Sequence, residues 1–106
     1  MQYTIIHYEE NGRDIFQDWL DNLKDLQGRK AIQRAVDKIE DGNFGVHKPC
    51  REGVWEIVLN TGPGYRVYYY MIKNVVVLLL CAGSKRTQQK DIDKAIFYLK
   101  DFKGRN

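Results

Sequence analysis

The segment Val75 to Leu80 is an unbroken run of valine and leucine, and it constrains the fold more than any other stretch of the chain. Such a run suits a strand covered on both faces, because a half-exposed strand would alternate apolar and polar side chains. Extended to Gly83, it is still far short of the roughly 20 residues needed to cross a bilayer, so no membrane span is expected.

Two further strand-like runs precede it, Val54 to Asn60 and Tyr65 to Lys73. The Thr61-Gly62-Pro63-Gly64 turn and a tight Lys73-Asn74 junction separate the three, which predicts an antiparallel meander with Val75 to Cys81 inside the sheet. Gln2 to Tyr8 is rich in Ile, Tyr and Thr and closes on Glu9-Glu10-Asn11-Gly12, so it reads as another strand. Helical spacing follows from Asp14, through Ile15, Phe16, Trp19, Leu20, Leu23 and Leu26. After Gly28 the pattern repeats in Ala31, Ile32, Ala35, Val36 and Ile39, with Gly42 in the position of a left-handed C-terminal glycine. The two helices are expected to form a hairpin. Residues 43–53 carry glycine and proline and read as a surface loop. Ile92, Ala95, Ile96, Leu99 and Phe102 mark a last helix from near Thr87 that docks on the sheet. The reading is a compact α+β domain over residues 1–106, in the order β-α-α-β-β-β-α.

Composition narrows the functional classes. The 106 residues fall below one average domain of roughly 150, which leaves no room for a second. With 43% apolar residues the chain can build an ordinary core, and 17 Lys+Arg against 14 Asp+Glu give a charge of +3, too mild to name a partner. The N-terminus has no basic segment ahead of a long apolar stretch, so a cytoplasmic location is expected. Cys50 and Cys81 suggest neither a disulfide nor a zinc site. There is no phosphate-binding loop, dinucleotide fingerprint, zinc-protease motif or serine-hydrolase elbow, so neither a metal nor a cofactor is expected.

What remains is cationic and aromatic. Alternation along Tyr65 to Ile72 puts Arg66, Tyr68 and Tyr70 on one face and Tyr65, Val67, Tyr69 and Met71 on the other. Arg66 can grip a phosphate as a fixed guanidinium, or it can stack on tyrosines or pair with Glu56 from the adjacent strand. Lys85 and Arg86 precede the last helix, where cations oppose the helix dipole. An anion bound there would turn helix N–H groups and both side chains into one phosphate site, and the alternative is a solvated basic loop. His47, Lys48 and Arg51 form a third basic spot, with His47 either a proton carrier or simply exposed. His7 suits a hydrogen-bonded structural role. Tyr98 can reach the sheet surface as a hydroxyl donor or serve in packing.

Several segments together resemble the RelE/ParE toxin superfamily, in its branch of HigB-like addiction-module killer proteins. They are Gly42-Asn43-Phe44-Gly45, Gly53-Val54-Trp55-Glu56, Gly62-Pro63-Gly64-Tyr65-Arg66-Val67-Tyr68-Tyr69, Leu78 to Lys85, and Gln88-Gln89-Lys90-Asp91-Ile92 with Ala95. The Phe16-x-x-Trp19-Leu20 helix also fits. The resemblance implies a toxin of a toxin–antitoxin pair, silenced by a cognate antitoxin that is commonly a helix-turn-helix protein. Many relatives cut messenger RNA on the ribosome without a metal, which would make Arg66, Lys85 and Tyr98 catalytic and Lys48, Arg51 and Arg86 holders of the RNA backbone. The chain departs from the pattern at Glu56-Ile57-Val58, where relatives carry Glu-Leu-Arg, at Cys81-Ala82-Gly83 in place of a double glycine, and at Ser84 in place of aspartate. The alternatives implied are a non-enzymatic inhibitor of DNA gyrase and a toxin that retains only antitoxin binding.

Overall fold

The computed structural model describes residues 2–105. Its elements, in chain order, are β1 (Thr4–His7), β2 (Glu9–Glu10), β3 (Arg13–Asp14), α1 (Ile15–Asp21), α2 (Leu26–Glu40), β4 (His47–Pro49), β5 (Trp55–Val58), β6 (Tyr65–Ile72), β7 (Val76–Ser84) and α3 (Gln88–Gly104). Five strands form one sheet in the order β1-β7-β6-β5-β4, and β2 and β3 form a separate two-stranded ladder. Among the described residues, no helix is long and apolar enough to cross a membrane.

The apolar run behaves as its composition demands. Val77, Leu78, Leu79 and Leu80 are fully buried. Each side chain of this size contributes roughly 1.5–3 kcal/mol by leaving water, which makes β7 the strand around which the rest assembles. It lies between β6, antiparallel, and β1, parallel, with Thr4 opposite Val76 and His7 opposite Leu79. The sheet is therefore mixed, a correction to the antiparallel sheet read from the meander. The β6–β7 connection is the three residues between paired Ile72 and Val76, in which Lys73 and Asn74 take left-handed φ of 51° and 66° to reverse the chain.

Alternation along β6 sorts side chains as anticipated. Tyr65, Val67, Tyr69 and Met71 join the core under α1 and α2, with Phe16, Leu20, Ile32, Val36 and Ile39. Tyr68, Tyr70 and Ile72 join the core under α3, with Ile92, Ala95, Ile96 and Leu99. Across from them β7 has a bulge: Tyr68 pairs with Cys81 and Tyr69 with Leu79, so Leu80 is an extra residue. Leu80 and Cys81 consequently both belong to the α3 side.

Two boundaries differ from the sequence reading. The break between the first helices falls at residues 22–25, not at Gly28. Asp25 caps α2 by accepting the Gly28 N–H at 3.0 Å, and this local bond starts a new helix three residues earlier than a glycine break would. Gly28 is needed inside that first turn, because a Cβ there would lie 2.5 Å from the Tyr65 ring and 2.7 Å from the Asp25 carboxylate. Leu26, assigned above to the apolar stripe of the first helix, is exposed. The segment 43–53 is not wholly loop, since His47–Pro49 pairs antiparallel with β5 as the edge strand. Proline is tolerated there because an edge strand needs only one row of hydrogen bonds. Gly42 does end α2, at φ 87°.

Two tyrosine–carboxylate clasps join sheet to helices. Tyr65 donates to Asp25 at 2.7 Å, and buried Tyr8 donates to Asp101 of α3 at 2.6 Å. The Gly28 N–H and then the Tyr65 hydroxyl hold the Asp25 carboxyl below its ordinary range, and the Tyr8 hydroxyl does the same for Asp101. A folded-state pKa below the unfolded value of about 3.9 means that the unfolded chain binds more protons, so stability rises with pH in that window. The contribution of both clasps should be complete above about pH 5 and lost as pH falls through the folded values. Urea unfolding at several pH values checks this: the advantage of the wild type over a Tyr8→Phe, Tyr65→Phe variant should be flat near neutrality and shrink in acid.

Candidate functional site

The β5–β6 turn closes through Leu59 N–H donating to the Tyr65 carbonyl at 2.9 Å and Gly64 N–H donating to the Thr61 carbonyl at 3.1 Å. Gly64 adopts φ 77°, and a Cβ there would meet Arg66 Nη1 at 3.0 Å and Lys85 Cβ at 3.5 Å. The turn thus brings the start of β6 and the end of β7 against one glycine, with a cationic residue on each. Arg66 Nη1 donates to the Gly64 carbonyl at 2.6 Å, which fixes the guanidinium over the turn.

Arg66 is only 9% exposed and sits between Val58 on β5 and Gly83 on β7. Its Nε lies 3.9 Å from Glu56 Oε1, too long for a hydrogen bond, and among the described residues that buried Nε has no acceptor. The Glu56 carboxylate is held instead by Gln88, the first residue of α3, whose Nε2 donates to its two oxygens at 3.1 and 3.2 Å. Arg66 thus faces Glu56 across a buried site, yet keeps hydrogen-bonding capacity unspent among the described residues.

Lys85 and Arg86 lie in a single 3₁₀ turn, Lys85–Thr87, between β7 and α3, and both are exposed. Among the described residues neither forms a salt bridge. The favourable charge at the start of α3 comes from buried Asp91, which accepts from Thr87 Oγ1 at 2.5 Å. Lys48 stands opposite Glu56 in the β4–β5 ladder, so it shares the Arg66 face at the sheet edge. Arg51 is engaged with Asp93 of α3 at 2.6 Å, an exposed pair of the kind worth at most about 1 kcal/mol.

Other expected participants go elsewhere. Tyr98 stacks on Tyr8, with ring centroids 5.0 Å apart, in a groove of about 480 Å3 between α1 and α3. Ten residues separate it from Gln88, about 15 Å along the helix axis, and it shares that groove with Pro63, Ser84 and Thr87, which flank Gly64 and the basic turn. His47 faces Trp55 and Phe44 on the α1–α2 side of the sheet, and its Nδ1 is 2.9 Å from the Gly45 carbonyl. That excludes it as a proton carrier for Arg66. His7 has the structural role foreseen, with Nδ1 2.8 Å from Asp14. Tyr68 is fully buried and offers no stacking surface. Among the described residues no group of three His, Cys, Asp or Glu side chains could hold a metal ion. Gln88 and Asp91 were not singled out as functional in the sequence. The signal for Gln88 was its place one turn past the basic pair, and for Asp91 the want of an acid in the first turn.

The fold matches that of Escherichia coli toxin RelE, solved in the free state as a double arginine-to-alanine mutant, with a TM-score of 0.62. The match covers 91% of this chain and 96% of RelE at 18% identity, so the likeness is one of fold. An uncharacterized protein of Haemophilus influenzae is 41% identical over 80 residues, 76% of this chain and 81% of its own length. Residues 18–100 match the family described as phage derived protein Gp49-like (DUF891), and the chain belongs to that family, built on a RelE-type fold.

Proposed function

We propose that the protein is the toxin of a toxin–antitoxin pair and that it cuts messenger RNA on the ribosome. The observation that carries this reading is the approach of Arg66 Nη1 and Lys85 Cβ to the same glycine, Gly64, with Arg66 Nε lacking an acceptor among the described residues. Two cations at one turn, one buried and hydrogen-bonded to the turn and the other exposed, suit a phosphate whose charge grows during reaction. In the proposed step the ribose 2′-oxygen bonds to the adjacent phosphorus and the bond to the 5′-oxygen breaks, leaving a 2′,3′-cyclic phosphate. The 2′-hydroxyl proton passes to a base and the departing 5′-oxygen takes up a proton.

Arg66 and Lys85 stabilise the phosphorane, while Arg86 and Lys48 hold the flanking backbone. Arg51 joins them if RNA displaces Asp93. Glu56 is the carboxylate that faces Arg66, and we assign it the role of base. The partners in this reading are the ribosome, messenger RNA and a cognate antitoxin.

Inducing the protein in cells without its antitoxin tests the reading. Transcripts should break at defined positions within minutes, ahead of any DNA-damage response. Intact transcripts with an SOS response would overturn it in favour of gyrase inhibition, which Val58, standing opposite Arg66 where relatives carry arginine, otherwise recommends. Harmless expression would leave antitoxin binding as the one retained function.

A further inference from the structure

On the face of the sheet away from Arg66, five rings converge near the β4 edge. Phe44 lies against Tyr3, Tyr69 and His47 with centroids 5.2, 5.6 and 5.9 Å away, and His47 lies 5.8 Å from Trp55. With Asn74 at its rim, this set lines a pocket of about 330 Å3, at the lower end of the range of about 300–1,000 Å3 typical of small-ligand sites. His47 is exposed and Phe44 and Trp55 are half-buried, so flat ring surface is open to a ligand.

Phe44 also lines a second cavity of about 290 Å3, whose charged residues are Arg34 and Lys38 of α2. Among the described residues neither cation is in a salt bridge, and no carboxylate lines either cavity. An aromatic cage for a cationic ligand would be expected to carry acidic neighbours, and here the neighbouring charge has the opposite sign. Stacking surface beside unpaired cations is instead the chemistry of a base joined to a phosphate. Asn74 can hydrogen-bond a base edge. The His47 Nε2 can do so as well, since its Nδ1 is taken up by the Gly45 carbonyl.

We propose that the Phe44 pocket binds a nucleobase and that Arg34 and Lys38 bind the phosphate attached to it. The base comes from a free nucleotide or from a single strand, and the site is separate from the Arg66 corner. Trp55 reports on it once Trp19, the other tryptophan of the chain, is replaced by phenylalanine.

In the Trp19→Phe protein, Trp55 fluorescence should be quenched saturably by AMP or by a 2′-O-methyl oligoadenylate hexamer, which cannot be cleaved by its own 2′-oxygen. Quenching by both, or by either alone, supports the site, and the comparison identifies the source. Phe44→Ala should weaken binding about tenfold. Lys38→Glu should weaken it and flatten its salt dependence. Arg66→Gln should leave the quenching unchanged, which separates this site from the proposed cleavage site. No quenching by either ligand, equal quenching by ribose 5-phosphate, or an unchanged affinity in Phe44→Ala would overturn the proposal. If circular dichroism shows Phe44→Ala unfolded, His47→Ala, at an exposed ring, decides it by the same criterion.

Discussion

Replacing Arg66 by glutamine is expected to lower transcript cleavage by about a hundredfold to a thousandfold, the usual cost of removing one preorganised donor to a developing anion. Growth on induction should recover accordingly. Arg66→Lys should recover it less, because an ammonium keeps the charge and loses the fork. Charge reversal would be a poor test, because Arg66→Glu would set a second carboxylate against buried Glu56 and damage the fold. Arg66→Gln also leaves Glu56 with less compensation, so the double variant Glu56→Gln, Arg66→Gln is the control. It should regain thermal stability without regaining cleavage. Lys85→Ala is exposed and should fold normally while losing cleavage. Undiminished cleavage in both Arg66→Gln and Lys85→Ala would remove the Gly64 corner from the mechanism.

The largest stability effect should come from Gly83→Ala. A Cβ at Gly83 would lie 1.9 Å from Asp91 Oδ2, 2.8 Å from its Cγ and 3.1 Å from Thr87 Oγ1. Asp91 is buried and bonded to Thr87, so it cannot swing aside without giving up that bond. Overpacking of this kind costs about 1–3 kcal/mol, which for a domain of this size lowers Tm by roughly 4–24 °C. Thermal melts followed by circular dichroism measure it. Ser84→Ala, one residue on, removes no capping bond and should fall within about 0.5 kcal/mol of the wild type. Shortening the obstructing side chain, as in Asp91→Ser, should recover part of the Gly83→Ala loss, a non-additivity expected only if the two residues collide.

The parts of the fold that sequence made legible are those whose side chains repeat with a period. Tyr65 to Ile72 alternates, and its two faces went to the two cores as read. Val75 to Leu80 has no polar interruption, and it feeds an interior strand, β7. The parts that escaped have no such repeat. His47–Pro49 is exposed and polar, so nothing in it marks a strand until β5 supplies the partner. The parallel pairing of β1 with β7 joins residues some seventy positions apart, and local pattern carries no information about it. The candidate site divided in the same way. Arg66 and Glu56 could be paired from strand adjacency, and their neighbourhood was anticipated. Tyr98 needed a helix azimuth and packs against Tyr8 on the α3 side, whereas His47 needed the facing of an unrecognised edge strand and lies on the opposite face of the sheet from Arg66.

The bulge at Leu80 leaves β7 with one residue in reserve. Leu80 and Cys81 point the same way, so losing either would restore simple alternation and still keep Ala82 toward α1 and Gly83 toward Asp91. A residue gained there has no slack to take up and must turn the strand end over. Tolerance of length change in this strand is therefore one-sided: shortening is absorbed locally, whereas lengthening is passed on to the basic corner that follows it.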